Sequence, residues 1–321
     1  MNIHSAIIEG AKLLKSKNIL SANIDSEILM AKAIKKDKNY ILINLKEKVN
    51  NQNLKIFKKL IKERLRGKPI AYLINKKSFW NSDFFVTNDT LIPRPDTELL
   101  IECILNYTKN KNKLNILDIG IGSGCILLSI LREKKNFYGT GIDISKNTLN
   151  ICKINAANLN VAKRLKLFKT NVDKFTLGKY DLIVSNPPYI NKNRIKYLEM
   201  DVAKYEPLMA LDGGLDGLSE IRKVINKSSE LIKKNNLECL EKDIGFEPKQ
   251  ALDGGLDGLS EIRKVINKSS ELIKRSGHFI IEIGFDQKNK VKKILRDKGF
   301  YIKKTVKDLS NHDRCIVSIK T

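Results

Sequence analysis

The segment 115–132 limits the possible folds more than any other. The apolar run Asn115-Ile116-Leu117-Asp118-Ile119 has the length of a strand. It breaks at Gly120-Ile121-Gly122-Ser123-Gly124 and gives way to a helical pattern over 125–132. Strand, glycine turn and helix in that order suit a nucleotide cofactor. Glycines let the backbone approach a ligand closely, and the next helix offers its N-terminal amides to a polar or anionic group. A second strand is predicted over 137–142 and leads to Asp143, 19 residues after Gly124. That is close to the offset of roughly 20 residues at which an acid meets a ribose hydroxyl pair. The glycine spacing is G-x-G-x-G, whereas a dinucleotide fold places its third glycine one position later. A plain strand-to-helix connection with a solvated acid is the alternative for either feature alone; together they favour an adenosyl ligand.

A second apolar run, Leu182-Ile183-Val184, leads into Asn186-Pro187-Pro188-Tyr189, where a buried strand would end. An amide or exocyclic amino nitrogen is a poor nucleophile, because its lone pair is delocalised into the attached carbonyl or ring. The Asn186 side-chain oxygen and the Pro187 carbonyl can each accept one N–H of an incoming –NH2, orienting the nitrogen and raising its electron density. Pro187 and Pro188 have fixed φ and no N–H, and Asn186 is pushed to extended geometry, so the loop is stiff before substrate arrives. Tyr189 adds an aromatic face for a planar group. With a methyl donor already activated as a sulfonium, alignment and proximity carry most of the rate without metal or covalent nucleophile. The two segments point to methyl transfer onto a planar nitrogen.

On these residues the chain resembles the bacterial release factor glutamine methyltransferases. The likeness covers nearly the whole chain. It includes residues 118–124 and 186–190, Arg66-Gly67-Lys68-Pro69-Ile70-Ala71-Tyr72, Phe79-Trp80, Leu91-Ile92-Pro93-Arg94-Pro95-Asp96-Thr97-Glu98, Tyr205-Glu206-Pro207 and Glu282-Ile283-Gly284. The Ile-Pro-Arg-Pro-Asp-Thr-Glu run is its specific part. The resemblance implies an α/β, Rossmann-like methyltransferase sheet with a small N-terminal helical domain and a β-hairpin linker. It also implies that Gly120, Ile121, Gly122, Ser123, Gly124 and Asp143 hold S-adenosylmethionine (S-adenosyl-L-methionine), together with Asn171, Val172 and Asn186. Asn186, Pro187, Pro188 and Tyr189 would hold the target amide, the glutamine of a Gly-Gly-Gln motif in peptide chain release factors. One departure is local: where the family shows an Asp followed by a large aromatic around the adenine, this chain has Asn171 and Val172, which offer less stacking area. Asn-Pro-Pro-Tyr also occurs in adenine-N6 and guanine-N2 methyltransferases acting on nucleic acid, and that remains the alternative substrate class.

The second departure is a repeat. Residues 210–233, ALDGGLDGLSEIRKVINKSSELIK, recur letter for letter at 251–274, an offset of 41. Upstream the likeness continues imperfectly, Leu198-Glu199-Met200-Asp201-Val202 against Leu240-Glu241-Lys242-Asp243-Ile244, and Tyr205-Glu206-Pro207 against Phe246-Glu247-Pro248. Two copies do not make a solenoid, which needs at least three stacked units. The family sheet has room for one such loop and helix between its fourth and fifth strands, so one copy is surplus. The first is expected beside the site, and one of the two helices is expected to be extruded. Its apolar stripe, Leu218, Ile221, Val224 and Ile225 or Leu259, Ile262, Val265 and Ile266, would then be exposed.

Three domains are expected: a helical substrate-docking domain over 1–76, with a helix start at Asp25-Ser26; a hairpin and linker over 77–110, turning at Asn88-Asp89; and a methyltransferase domain over 111–321 containing the doubled segment, about 198–233 and 240–274. Strands are also predicted over 165–170, 180–185 and 277–283, with a terminal antiparallel pair at 301–306 and 314–318. No apolar run of 18 residues exists and residues 1–20 lack a signal-peptide pattern, so a cytoplasmic location without membrane contact is expected. The five cysteines lack C-x-x-C spacing and the three histidines are scattered, which supports neither a disulfide framework nor a metal site. The net charge of +24 is spread through every segment. It would speed encounter with an acidic partner without selecting nucleic acid over protein, and a monomer acting on release factors is expected.

Overall fold

The computed structural model describes residues 1–217, 219–232, 238–241, 259–273, 275, 278–283, 286–307 and 311–321. They fall into two units, 1–76 with 86–88 and 200–205, and the remainder. The first unit is helical: α1 (Ile3–Lys15), α2 (Ala22–Ile34), α3 (Lys38–Ile43), α4 (Asn51–Leu65), α5 (Ile70–Ile74) and, from later in the chain, α9 (Met200–Tyr205). Asn2 caps α1 by accepting from the Ser5 N–H at 2.8 Å, and Asn50 caps α4 in the same way through Asn53. Apolar residues at helical spacing, among them Ile3, Leu14, Leu29, Met30, Ile41, Phe57 and Ile61, close the core. The expected start at Asp25-Ser26 is corrected, since α2 begins at Ala22 and both residues lie inside it, 3% and 0% exposed. Their polar groups tie helices together. Arg64 Nε donates to Asp25 Oδ2 at 2.7 Å, and Ser26 Oγ donates to the Ile7 carbonyl at 2.8 Å.

The second unit begins with a hairpin of β1 (Lys77–Phe79) and β2 (Ser82–Phe84). Its turn is Trp80-Asn81, both at positive φ, and not Asn88-Asp89, which forms a turn in the connection that follows. Two positive φ values suit the tightest hairpin turn. Trp80 is held there by Glu98, which accepts from its backbone N–H at 3.1 Å, and by Glu133, which accepts from its indole N–H at 3.1 Å.

After α6 (Thr97–Tyr107), strands and helices alternate: β3 (Asn115–Ile119), α7 (Cys125–Glu133), β4 (Tyr138–Asp143), α8 (Lys146–Asn158), β5 (Leu165–Lys169) and β6 (Leu182–Ser185). They are followed by α10 (Ser219–Leu231), β7 (Glu238–Glu241), α11 (Ser260–Leu272), β8 (His278–Glu282), α12 (Lys288–Asp297), β9 (Phe300–Lys307) and β10 (Asp313–Lys320). The eight-stranded sheet has the order β5-β4-β3-β6-β7-β8-β10-β9. It is parallel from β5 to β8, and β10 is antiparallel to both its neighbours. The order reverses direction at β3, the point at which open α/β sheets bind ligands beyond the carboxyl ends of their strands. No helix of the described residues is long and apolar enough to cross a membrane, and the described residues hold no group of three or more potential metal ligands.

The expected extruded helix is not found. Ile221, Val224 and Ile225 of α10 and Ile262, Val265 and Ile266 of α11 are all buried; Leu218 lies outside the described residues. The reason is β7. Shifted by 41, its residues 238–241 fall on 279–282 of β8. The duplication therefore brought a strand as well as a helix. β7 inserts between β6 and β8, and the wider sheet gives each helix a surface to cover. Val224 packs with Leu117, Ile119 and Ile183, while Ile221 and Ile225 pack with the α11 residues and Phe279.

Candidate active site

Three neighbouring strands, β4, β3 and β6, bring the candidate residues to one edge of the sheet. Ile119 is in register with Ile142 on one side and with Ser185 on the other, so the glycine turn and Asn186 leave adjacent strands side by side. The backbone N–H groups of Gly120 and Ile121 both donate to the Ile142 carbonyl at 3.0 Å, which closes the turn over the end of β4. Gly120 and Gly122 have positive φ, and a Cβ on either would meet no side chain within 4 Å. The turn is thus an open cradle of backbone. Ile121 and Ser123 are buried beneath it, and the Ser123 carbonyl accepts from Asn155 Nδ2 at 2.8 Å. Gly124 sits against Leu128 and Cys152, so it supplies the close helix packing that a dinucleotide fold obtains one residue later.

Asp143 belongs to the same cluster. Its Oδ2 accepts from the Gly122 N–H at 3.2 Å and its Oδ1 from the Ser145 N–H at 2.9 Å. Burial pushes the carboxyl pKa above its ordinary value, against the backbone hydrogen bonds from Ser145, Gly122 and Ile144. The Thr170 N–H donates to the Asp143 carbonyl at 3.0 Å, which carries Asn171 to this edge. Asn171 itself is exposed, with its Oδ1 accepting from the Asp173 N–H at 3.0 Å. Val172 turns into the core with Leu117, Ile119, Ile142 and Phe175.

Asn186, Pro188 and Tyr189 are half-buried and Pro187 is buried. Asn186, Pro187, Tyr189 and Ile190 line a shallow open cleft, whose other walls are Leu91, Arg94, Ala210 and Leu211. The glycine turn is not among the lining residues. Its link to Asn186 runs through Ser185, fully buried, whose Oγ donates to the Ile119 carbonyl at 2.7 Å.

Sequence reasoning missed several of these groups. Arg94 enters the cleft from the Ile-Pro-Arg-Pro run and is held by Glu206, whose Oε1 accepts from Arg94 Nη2 at 2.8 Å and whose side chain is 1% exposed. Asp118 lies within β3, 2% exposed, with Oδ2 unpartnered among the described residues. Burial pushes its pKa up to about 7, opposed by a hydrogen bond with the Leu127 backbone and reinforced by Asp143. The signal was present as an acid inside an otherwise apolar strand.

A switch-point glycine turn, an acid ending the next strand and an Asn-Pro-Pro-Tyr exit on the neighbouring strand define an α/β methyltransferase. Family models agree: the PrmC N-terminal domain matches residues 5–74 and the methyltransferase small domain matches 95–203. The release factor glutamine methyltransferase of Clostridium acetobutylicum is 32% identical over 323 residues, spanning 100% of this chain and 99% of that one. That of Clostridium botulinum is 33% identical over 323 residues, spanning 100% of both. The bifunctional methyltransferase of Rickettsia bellii is 30% identical across 98% of this chain, which spans 54% of that longer protein. The chain belongs to the release factor glutamine methyltransferase family.

Proposed function

We propose that this protein transfers a methyl group from S-adenosylmethionine to the side-chain amide nitrogen (N5) of the glutamine in the Gly-Gly-Gln motif of peptide chain release factors. The observation that carries the reading is the pairing of Ile119 with Ser185, which sets the glycine cradle and the Asn186-Pro187 acceptors at the ends of adjacent strands. The open cradle at Gly120 and Gly122, with the Asp143 carboxylate beside it, fits an adenosyl ligand. In this reading Gly120, Ile121, Gly122, Ser123 and Gly124 approach it with backbone, Asp143 meets its ribose, Asn171 and Val172 border its adenine, and Asn186 closes the site. The bound cofactor supplies a methyl group already activated on a sulfonium. Asn186 Oδ1 and the Pro187 carbonyl accept the two N–H bonds of the amide and turn its lone pair toward the electrophile. Pro188 keeps that pair of acceptors rigid, and Tyr189 stacks on the carboxamide plane. No strong base is required, because the amide nitrogen becomes cationic as it takes the methyl group and then loses one of its two protons readily to water, leaving the neutral N-methyl amide.

Residues 1–76 dock the release factor, 77–110 link, and 111–321 carry the chemistry. The enzyme acts as a monomer in the cytoplasm and needs no nucleic acid. The test is labelled methyl donor with purified release factor, its Gln→Ala variant, DNA and ribosomal RNA. Label on the intact release factor alone is expected. Label on DNA or ribosomal RNA would replace this reading with amino methylation of nucleic acid, and label nowhere would mean a fold without turnover.

A further inference from the structure

The first copy of the repeated loop is bound to the acceptor segment by main chain. The Ile190 N–H donates to the Leu211 carbonyl at 3.0 Å, the Gly213 N–H to the Ile190 carbonyl at 2.8 Å, and the Lys192 N–H to the Gly214 carbonyl at 2.9 Å. Asn191 Nδ2 adds a hydrogen bond to the Leu215 carbonyl. Together they make a short parallel rung between Ile190 and Asp212. Two glycines allow the approach. A Cβ on Gly213 would lie 2.6 Å from the Gly217 carbonyl oxygen and 2.8 Å from Tyr189 Cα. Gly217 has φ +76°, and a Cβ there would lie 2.5 Å from the Tyr189 carbonyl oxygen. All three obstacles are backbone, which cannot rotate aside as a side chain does. Either the loop or Tyr189 must move. Ala210 and Leu211 of this loop also face Asn186 and Pro187 across the cleft.

We infer that Gly213 and Gly217 of the first copy are positioning residues, holding Tyr189 and Ile190 in place as the wall that shapes the acceptor cleft. The inference rests on the reading of residues 186–189 as the acceptor site. The duplication supplies an internal control, because Gly254 and Gly258 stand in the same eight letters 41 positions on. The same replacement can therefore be made within the same letters in either copy.

The test uses the full chain and compares Gly213→Ala and Gly217→Ala with Gly254→Ala and Gly258→Ala, measuring kcat and KM for the release factor, the dissociation constant of S-adenosylmethionine by calorimetry, and folding by circular dichroism. A wall displaced by an ångström is expected to lower kcat/KM about 100-fold while cofactor affinity is unchanged. The second-copy variants are expected to stay within about twofold of the parent, because the hydrogen bonds that hold Ile190 and Lys192 come from the first copy. If the first-copy variants fail to fold, Asn191→Asp, which keeps an oxygen for the Asn193 N–H and removes the donor to the Leu215 carbonyl, decides; a lowered kcat/KM with intact cofactor binding supports the inference and an unchanged one overturns it. First-copy variants that turn over like the parent, second-copy variants that lose as much, or cofactor affinity falling in step with transfer would each overturn it. An unmutated enzyme inert toward release factor would overturn the proposed substrate and this inference together, and that failure is told apart because it is already present without any substitution.

Discussion

Replacing Asp118 by Asn should flatten the pH dependence of stability in the sheet-bearing unit. The Asp118 carboxyl is buried in β3, and desolvation pushes its pKa up to about 7. In the unfolded chain an aspartate titrates near ~3.9. Between those values the folded state holds a proton that the unfolded state has released, so stability falls as pH rises from about 4 to about 7 and levels off beyond. A gap of about three pH units, at ~1.4 kcal/mol per unit, sets the scale of the loss at about 4 kcal/mol. A carboxamide resembles the neutral acid in shape and cannot ionise, so Asp118→Asn should gain on the parent by up to about that amount across the window. Any fixed cost of the amide shifts the difference curve without tilting it. Asp143, also raised by burial, titrates in both proteins and largely cancels. The assay is urea unfolding at half-unit pH steps, followed by emission of Trp80, the single tryptophan, which lies in the same unit. A difference curve flat from pH 4.5 to 7.5 would refute the argument. A curve of opposite slope would mean that Asp118 is ionised and paired in the folded protein.

Ser185→Ala removes the 2.7 Å bond to the Ile119 carbonyl. A loss of about 0.5–1.5 kcal/mol is expected in urea unfolding, with slower single-turnover transfer because the two loops of the site leave these strands; an unchanged transfer rate would make the bond purely structural. Asp25→Ala leaves the half-buried Arg64 guanidinium, 15% exposed, without its carboxylate partner and with only the Lys68 carbonyl among the described residues to accept from it. About 3–5 kcal/mol should be lost there, read as faster amide exchange in α1, α2 and α4; undisturbed exchange would count against the pair. Asn186→Ala should abolish transfer while calorimetric cofactor binding largely survives, and retained turnover would remove Asn186 from the mechanism. Deleting residues 234–274 joins Lys233 to Arg275 with every letter of one copy preserved, and should give a folded, active seven-stranded enzyme. An unfolded product would show that β7 and α11 are required.

The strands that build the site were legible because they are short apolar runs ended by residues with unusual backbone demands. Gly120 to Gly124 and Pro187-Pro188 mark the exits of β3 and β6 in the letters themselves, and Asp143 marks that of β4. What failed were inferences in which a polar residue had two uses. Asp25-Ser26 has the composition of a helix cap, yet Arg64 on α4 and the Ile7 carbonyl on α1 take both side chains inside α2. Asn88-Asp89 has the composition of a hairpin turn, but Trp80-Asn81 makes it, at a cost in φ that Glu98 and Glu133 offset from distant positions. The doubled segment failed for a different reason. Counting helices against a fixed sheet left one without a partner, whereas the sheet itself gained a strand. The sequence Glu238-Cys239-Leu240-Glu241 does not look like an interior parallel strand, where near-continuous apolar residues are the rule. Its place between β6 and β8 follows from the neighbours: two identical amphipathic helices must each cover apolar surface, and one more strand provides it. The acceptor exit at Asn186 lies at the end of β6, on the near side of that insertion. The register that joins it to the glycine turn runs through β3 and β6 alone, so the sheet can widen by a strand without separating the two halves of the site.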